Sequence, residues 1–494
     1  MNKEKVSERD DRIKKLEEIK KLGINPYPAL AFRSNFIIQI LNDFEKFEKN
    51  KTEINLVGRL RSLRIHGNLT FANLEDNSGK IQLAFSKKEL EKANLKSVDL
   101  YKTFLKIIDV GDFVQVKAVC FLTHVGEKTA MVKDWTILAK AIRPLPEKWH
   151  GIQDEEERLR KRYLDILFNP ETREMIEKKA KFWNTIRAFL INKNFLEVET
   201  PVLETITGGA DARPFIAHHN ALDIDVYLRI SMGELWQKRL MVAGFEKTFE
   251  IGRQFRNEGM DAEHLQDYTQ MEFYWAYVDY KMGMKLVEEL FKHIVLEVFG
   301  TYKFKIGEFD VDLNKKWEIY DYKETVKKYT GIDVFKTDIK EIELKLKELD
   351  IKYDKQGFNI TRAIDNLWKY CRKKIAGPGF LTGIPVVVSS LAKRDERNPE
   401  IAQRFQPIIA GTELGNGYSE LNDPIDQAKR FSEQQKLKEA GDQEAQMYDY
   451  DFVEALEYGM PPTCGFGMSE RVFAFFMNKP ARECQIFPLM KPKK

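Results

Sequence analysis

Between Thr248 and Tyr277 the chain reads TFEIGRQFRNEGMDAEHLQDYTQMEFYWAY, and few local structures suit that order of residues. Phe249, Ile251, Arg253 and Phe255 alternate with Glu250, Gly252, Gln254 and Arg256. Met271, Phe273 and Trp275 alternate with Gln270, Glu272, Tyr274 and Ala276. A period of two means a strand, so the stretch predicts two strands joined by a long polar loop. Their apolar faces pack on one side, and Arg256, Glu272 and Tyr274 share the other. The loop carries Asn257, Glu258, Glu263, His264, Asp267 and Tyr268. A face with an arginine, a glutamate and a tyrosine suits a floor for a small charged substrate. The same spacing also suits an ordinary hairpin with a solvated face.

The residues do more than alternate. FRNEG, a loop and then MEFYWAY resembles motif 2 of the class II aminoacyl-tRNA synthetases, in particular the bacterial-type lysyl members. The resemblance extends over nearly the whole chain. It implies an α+β protein: an N-terminal OB-fold β-barrel, then a class II catalytic domain with an antiparallel sheet flanked by helices. A length of 494 residues leaves room for two or three domains. The expected division is a helical arm over residues 1–50, an anticodon-binding barrel over 51–145, a linker over 146–165 and the catalytic domain over 166–494.

Composition narrows the function class. With 43% hydrophobic and 32% charged residues the chain fits a soluble globular protein. No run approaches a membrane span, and the start MNKEKVSERDDRIKK lacks an apolar signal core, so a cytoplasmic location and no membrane partner are expected. Cys120, Cys371, Cys464 and Cys484 form no CxxC pair, which argues against a zinc knuckle and a disulfide scaffold. The net charge is only +3, so any nucleic acid must meet a local basic face.

Ile13, Leu16 and Ile19 make a helical stripe ended by Gly23, expected to be a loosely packed arm. From Ile54 to Arg143 short alternating strands, a turn at Asp76-Asn77-Ser78-Gly79 and a helical interruption near Lys87–Ala93 suggest a small barrel. Arg59, Arg61, Arg64 and His66 fall near Phe71 and Gln82. Cations beside an aromatic suit single-stranded nucleic acid, through phosphate contact and base stacking. The resemblance implies that Phe71, Gln82 and Glu127 contact the anticodon. Two prolines and a charge run then mark the linker.

Met175, Phe182, Ile186 and Leu190 recur at helical spacing, and FLEVETPVL follows as a short strand holding Pro201 at an edge or interface. This helix and strand resemble motif 1, which implies a homodimer. TGGADARPF matches a glycine segment whose backbone touches the amino acid, which implies a role for Gly209. Glu234, at a helix start, aligns with the residue that binds the α-amino group, although RISMGEL has one residue more than the family's pattern. Residues 281–370 read as mostly helical, and GPGFLTGIPVVV as a turn and a buried strand. GTELGNGYSELND matches a metal-bearing segment, implying Glu413 and Glu420 as Mg²⁺ ligands and Asn422 near the amino acid. Finally, PPTCGFGMSERVF resembles motif 3, with Ser469 as the expected helix cap and Arg471 in the first turn, meeting a phosphate together with the helix end.

The chemistry implied is ATP-dependent activation of L-lysine followed by transfer to tRNA(Lys). Arg256 and Arg471 would be the catalytic pair. Arg256 would bridge the carboxylate and the α-phosphate, and Arg471 would hold the γ-phosphate and cover adenine opposite Tyr268. Glu258 and His264 complete the implied ATP contacts. Glu272 and Tyr274 would select lysine. Mg²⁺ would travel with ATP, and no zinc is expected. The rivals are an aspartate or asparagine ligase of the same subgroup, because HLQDYT departs from the lysyl pattern, and a paralogue that charges no tRNA. No GxGxxG follows a strand, no GxxxxGK[ST] occurs, and the class I HxGH signature is missing.

Overall fold

A computed structural model describes residues 7–93, 99–146, 154–210, 212–259, 265–353, 358–441 and 445–493. The chain forms two compact units, Met1–Ile152 and Gln153–Lys494.

In the first unit β1 (Glu53–His66), β2 (Leu69–Glu75), β3 (Lys80–Ser86), β4 (Phe113–Leu122) and β5 (Lys128–Ala139) close a barrel in the order β1-β2-β3-β5-β4. All neighbours are antiparallel except β3 and β5. Alternation does the sorting: Ala72 and Leu74 face the core with Leu83, Val116 and Val132, while Phe71 and Asn73 face outward. The Asp76 turn forms because its Oδ1 accepts the backbone N–H groups of Ser78 at 2.7 Å and Gly79 at 3.0 Å.

The N-terminal helix Glu8–Lys21 is not the loosely packed arm its charge suggests. Arg12 is buried and donates to the carbonyls of Val110 at 3.1 Å and Ala141 at 3.2 Å. Ile19 is sealed in the barrel's core. Two backbone carbonyls of the barrel unit thus hold the charged helix in place.

The second unit contains, in chain order, β6 (Leu196–Glu197), β7 (Leu203–Glu204), β8 (Ile216–His219), β9 (Ile224–Leu228), β10 (Lys247–Phe255) and β11 (Asp267–Ala276). Next come β12 (Lys303–Ile306), β13 (Phe309–Asp312), β14 (Glu318–Asp321), β15 (Gly379–Thr382) and β16 (Arg404–Ile409). The last are β17 (Thr412–Glu413), β18 (Asn416–Ser419) and β19 (Thr463–Ser469). The main sheet runs β14-β15-β16-β18-β19-β11-β10-β6, with β17 paired to β16. It is antiparallel apart from β6–β10 and β14–β15.

One face of this sheet is dry. Phe249, Met271 and Phe273 meet Phe182, Ile186 and Leu190 of the helix Pro170–Asn192 and Leu290 and Phe291 of the helix Tyr280–Ile294. Each such side chain contributes about 2 kcal/mol by leaving water. The opposite face is left for chemistry.

Three expectations change. Pro201 lies in no strand, because β6 ends at Glu197 and β7 begins at Leu203. Val386–Val388 form a 3₁₀ turn after Pro385, with Val387 49% exposed, and only Gly379–Thr382 makes the strand. Residues 281–370 also hold the hairpin β12–β13 and the strand β14, whose lysines and aspartates mask their alternation.

Candidate active site

The wet face builds a cavity of about 420 Å³. Strand β11 supplies most of its floor. The register pairs Glu250 with Glu272 and Thr248 with Tyr274, so alternate side chains of β10 and β11 rise on the same side. Glu250 is taken up structurally, by Arg229 at 2.6 Å and the Thr200 hydroxyl at 2.6 Å. Glu272 is presented to the cavity. Its Oε1 accepts from the Met232 N–H at 3.1 Å and Gln270 Nε2 at 2.5 Å, and its Oε2 from the Tyr274 hydroxyl at 2.9 Å. Burial, and then the neighbouring Glu234 carboxylate, push the Glu272 acid above its ordinary range.

Glycines of β19 make the floor possible. A Cβ on Gly467 would lie 2.9 Å from Glu272 Cγ, and one on Gly465 would meet Tyr274 Cε1 at 2.7 Å. Gly209 has φ of 84°, and a side chain there would strike Ser231. Its N–H instead points at Gln446 Oε1, 3.3 Å away. Glu234 opens the helix Glu234–Val242, after Gly233 in the left-handed region at φ of 64°.

The arginines lie elsewhere on the same wall. Arg256 follows β10, its N–H donates to the Gln266 carbonyl at 2.7 Å, and its guanidinium stands 5.8 Å from the Tyr268 ring. Burial raises the Tyr268 phenol, with Arg256 pulling the other way. Glu258 lines the cavity beside them. His264 and Glu263 lie outside the described residues.

Arg471 begins the helix Arg471–Phe476, and its N–H donates to Ser469 Oγ at 3.3 Å. Two details differ from expectation. The cap is Glu470 rather than Ser469. Glu470 also holds a buried carboxylate at that helix end, bound by Lys179 at 2.5 Å and Gln485 at 2.7 Å. The Glu470 side chain makes no capping bond to the helix, its carboxylate being turned to Lys179 and Gln485 instead.

The segment from Glu413 to Asn422 divides in an unexpected way. Strand period on β18 turns Asn416 and Tyr418 into the cavity, and Glu420, one residue past the strand's end, joins them on the wall. Asn422 is not on the wall: its Oδ1 accepts from Lys393 at 2.7 Å and its Nδ2 donates to the Met460 carbonyl at 3.1 Å. Asn416 is the asparagine on the wall, held by Arg404 Nε at 2.7 Å. Asn416, Tyr418 and Arg404 were legible from the same alternation that identifies β11.

Glu413 and Glu420 differ as candidates for Mg²⁺. Glu413 is half-buried on the wall, beside Trp368 Nε1 and 3.5 Å from Gln406 Nε2, and fits a carboxylate that meets a phosphate-bound cation. Glu420 does not fit. It is 1% exposed, and its Oε2 sits 2.6 Å from the Lys238 ammonium, which would repel a dication. Burial raises the Glu420 acid, Lys238 opposes that shift, and Glu234 adds to it. Among the described residues, no three His, Cys, Asp or Glu side chains could hold a metal together.

On the barrel, Phe71 is half-exposed beside exposed His66, ring centroids 6.3 Å apart, and opposite exposed Arg64. Gln82 accepts from the Thr129 hydroxyl at 2.9 Å, and Glu127 is exposed in the loop before β5. Arg61 is engaged by Glu75 at 3.0 Å and Arg59 lies 4.3 Å over the Phe113 ring, which leaves Arg64 and His66 as the basic side chains opposite and beside Phe71.

Comparison with known proteins adds the following. Residues 154–491 match the family described as tRNA synthetases class II (D, K and N), and residues 54–142 match the OB-fold nucleic acid binding domain. The lysine–tRNA ligase of Thermosipho africanus is 42% identical over 98% of this chain and 96% of its own length. That of Thermoanaerobacter sp. is 44% identical over 98% of this chain and 95% of its own. That of Thermotoga maritima is 40% identical, covering 98% and 96%.

Proposed function

The chain belongs to the class II tRNA synthetases, and from that footing we propose that it activates L-lysine with ATP and transfers the lysyl group to the 3′ end of tRNA(Lys). One observation carries the choice of amino acid. Glu234, Glu272 and Glu420, at most 5% exposed, line one cavity together with Tyr274. Such a floor wants ammonium groups. An aspartate side chain would be repelled, and an asparagine would leave buried carboxylates unpaired, at a cost of roughly 3 kcal/mol or more.

In the first step the lysine carboxylate attacks the α-phosphorus and pyrophosphate leaves. The nucleophile is already an anion, so no side-chain base is needed and alignment carries the step. Arg256 bridges carboxylate and α-phosphate. Arg471 meets the outer phosphate and covers adenine opposite Tyr268, with Glu258 beside the base. Glu234 takes the α-ammonium, with the Gly209 backbone beside it, and Glu272 with Tyr274 takes the side-chain ammonium. In the second step a ribose hydroxyl at the 3′ end of tRNA attacks the adenylate carbonyl and AMP leaves. The family uses Mg²⁺ with ATP, and Glu413 would hold it; its chemistry is neutralisation of the triphosphate. Charging of purified tRNA transcripts tests the reading. A transcript with a lysine anticodon should accept lysine; acceptance of aspartate or asparagine instead would refute it.

We also propose a homodimer. Leu196, Leu203 and Ile216 are 49%, 51% and 64% exposed on or beside the short strands that follow the helix Pro170–Asn192. Apolar side chains gathered so near one region of sequence suit an interface between copies. Light scattering should give about twice the 57.8 kDa chain mass; a monomer mass would refute it. No helix of the described residues is long and apolar enough to cross a membrane. A cytoplasmic site of action suits the proposed substrates.

A further inference from the structure

Lys238 is not on the cavity wall, yet it touches two residues that are. It lies one helical turn after Glu234, so both side chains project from one face. Its Nζ is 2.7 Å from Glu234 Oε1 and 2.6 Å from Glu420 Oε2. The Lys238 side chain is 1% exposed, with the rings of Tyr418 and Phe452 5.4 Å and 5.9 Å away. The Tyr418 hydroxyl donates to the same oxygen of Glu234. Lys238 therefore engages one oxygen of each carboxylate and leaves the second oxygen of each to other partners.

The charges also count. Around Lys238 the floor gathers Glu234, Glu272 and Glu420, three negative charges once ionised, against the one positive charge of Lys238; farther along the wall Glu258, Glu413 and Glu470 are balanced by Arg256, Arg404 and Arg471. The excess is two negative charges, which is the number of ammonium groups on a diamino acid. We infer that Lys238 is the positioning residue that sets this match: it pins Glu234 and Glu420 and trims the floor to the charge that a substrate with two ammonium groups neutralises. Without it, three carboxylates would crowd a buried site where they cannot all ionise, and two of them would lose their anchor. The inference rests on the reading of this cavity as the lysine site.

The test is lysine-dependent and norleucine-dependent ATP–pyrophosphate exchange by wild type, Lys238→Met and Lys238→Arg. Norleucine has lysine's shape without the second ammonium. In Lys238→Met the KM for lysine should rise about tenfold or more, and the preference for lysine over norleucine in kcat/KM should fall by about the same factor. The KM for ATP should stay within about twofold. Lys238→Arg, which keeps the charge, should keep the preference even if its rate falls. Lys238→Gln carries the same expectation as methionine, so a folding failure of one variant, seen by thermal melting, does not shield the claim. An unchanged lysine preference in a folded Lys238→Met or Lys238→Gln protein would overturn the inference. So would equal loss of preference in the arginine variant, or a KM for ATP that rises in step. Wild type without lysine exchange would instead overturn the reading beneath it.

Discussion

At Glu272 three donors converge: the Met232 N–H, Gln270 Nε2 and the Tyr274 hydroxyl. They fix the carboxylate before substrate arrives, which lowers the ordering cost of binding. Glu272→Gln keeps the shape and removes the charge. Its KM for lysine should rise roughly 100-fold in exchange kinetics, with the KM for ATP little changed; near-normal lysine affinity would contradict the role. The pH dependence has a definite sign. Burial holds the acids of Glu272 and Glu420 above the carboxylate range, so part of the empty pocket is protonated near neutrality. An ammonium favours the ionised forms. Lysine affinity should therefore strengthen from about pH 6 to about pH 8 by calorimetry, and a flat or falling profile would be wrong. The same raised values work against folding: the unfolded carboxylates ionise first, so the empty protein should lose stability as pH rises through the raised range. Glu204, pushed by burial to about 7, acts in the same direction. At this scale the sequence was legible where a residue sits inside a long alternating run, as Glu272 and Tyr274 do. It could not tell which way Asn422 and Glu420 would face. A linear match orders residues along the chain, but only the pleat decides that Asn416 faces in, and only packing across elements brings Lys238 to Glu420.

Two strands and their glycines make the floor. β19 lies directly beside β11, and its Gly465 and Gly467 leave the room that Tyr274 and Glu272 fill. Gly465→Ala would put a methyl 2.7 Å from Tyr274 Cε1 and closer still to a Glu420 oxygen. The variant should melt earlier, losing about 1–3 kcal/mol, and its KM for lysine should rise more than its KM for ATP; equal effects on both substrates would place the strain elsewhere. The hairpin β10–β11, the helix Pro170–Asn192 and the glycine strand were readable because periodicity and glycine placement are local properties. The 3₁₀ turn at Val386–Val388 was not, since three valines favour a strand by propensity while Pro385 and the bridge from Pro385 to Ile401 govern the backbone. The end of β19 misled differently: Ser469 has a good capping side chain, but Glu470 occupies the cap with its carboxylate already bound.

The whole molecule separates two tasks between two units with separate cores. Amino-acid activation belongs to the sheet unit and tRNA reading to the barrel. Phe71→Ala should accordingly raise the KM for tRNA roughly tenfold in charging and leave lysine–ATP exchange unchanged; equal loss of both activities would contradict that division. The barrel was legible as a run of short alternating strands, whereas the docking of its charged N-terminal helix was not, because Arg12 reaches carbonyls about a hundred residues away in sequence, Val110 among them. The central claim is that one cavity selects lysine and joins it to AMP. ATP–pyrophosphate exchange with purified protein, each amino acid supplied separately, tests it most directly. The account predicts exchange with lysine and with neither aspartate nor asparagine. Exchange with either of those, or with no amino acid, would contradict it.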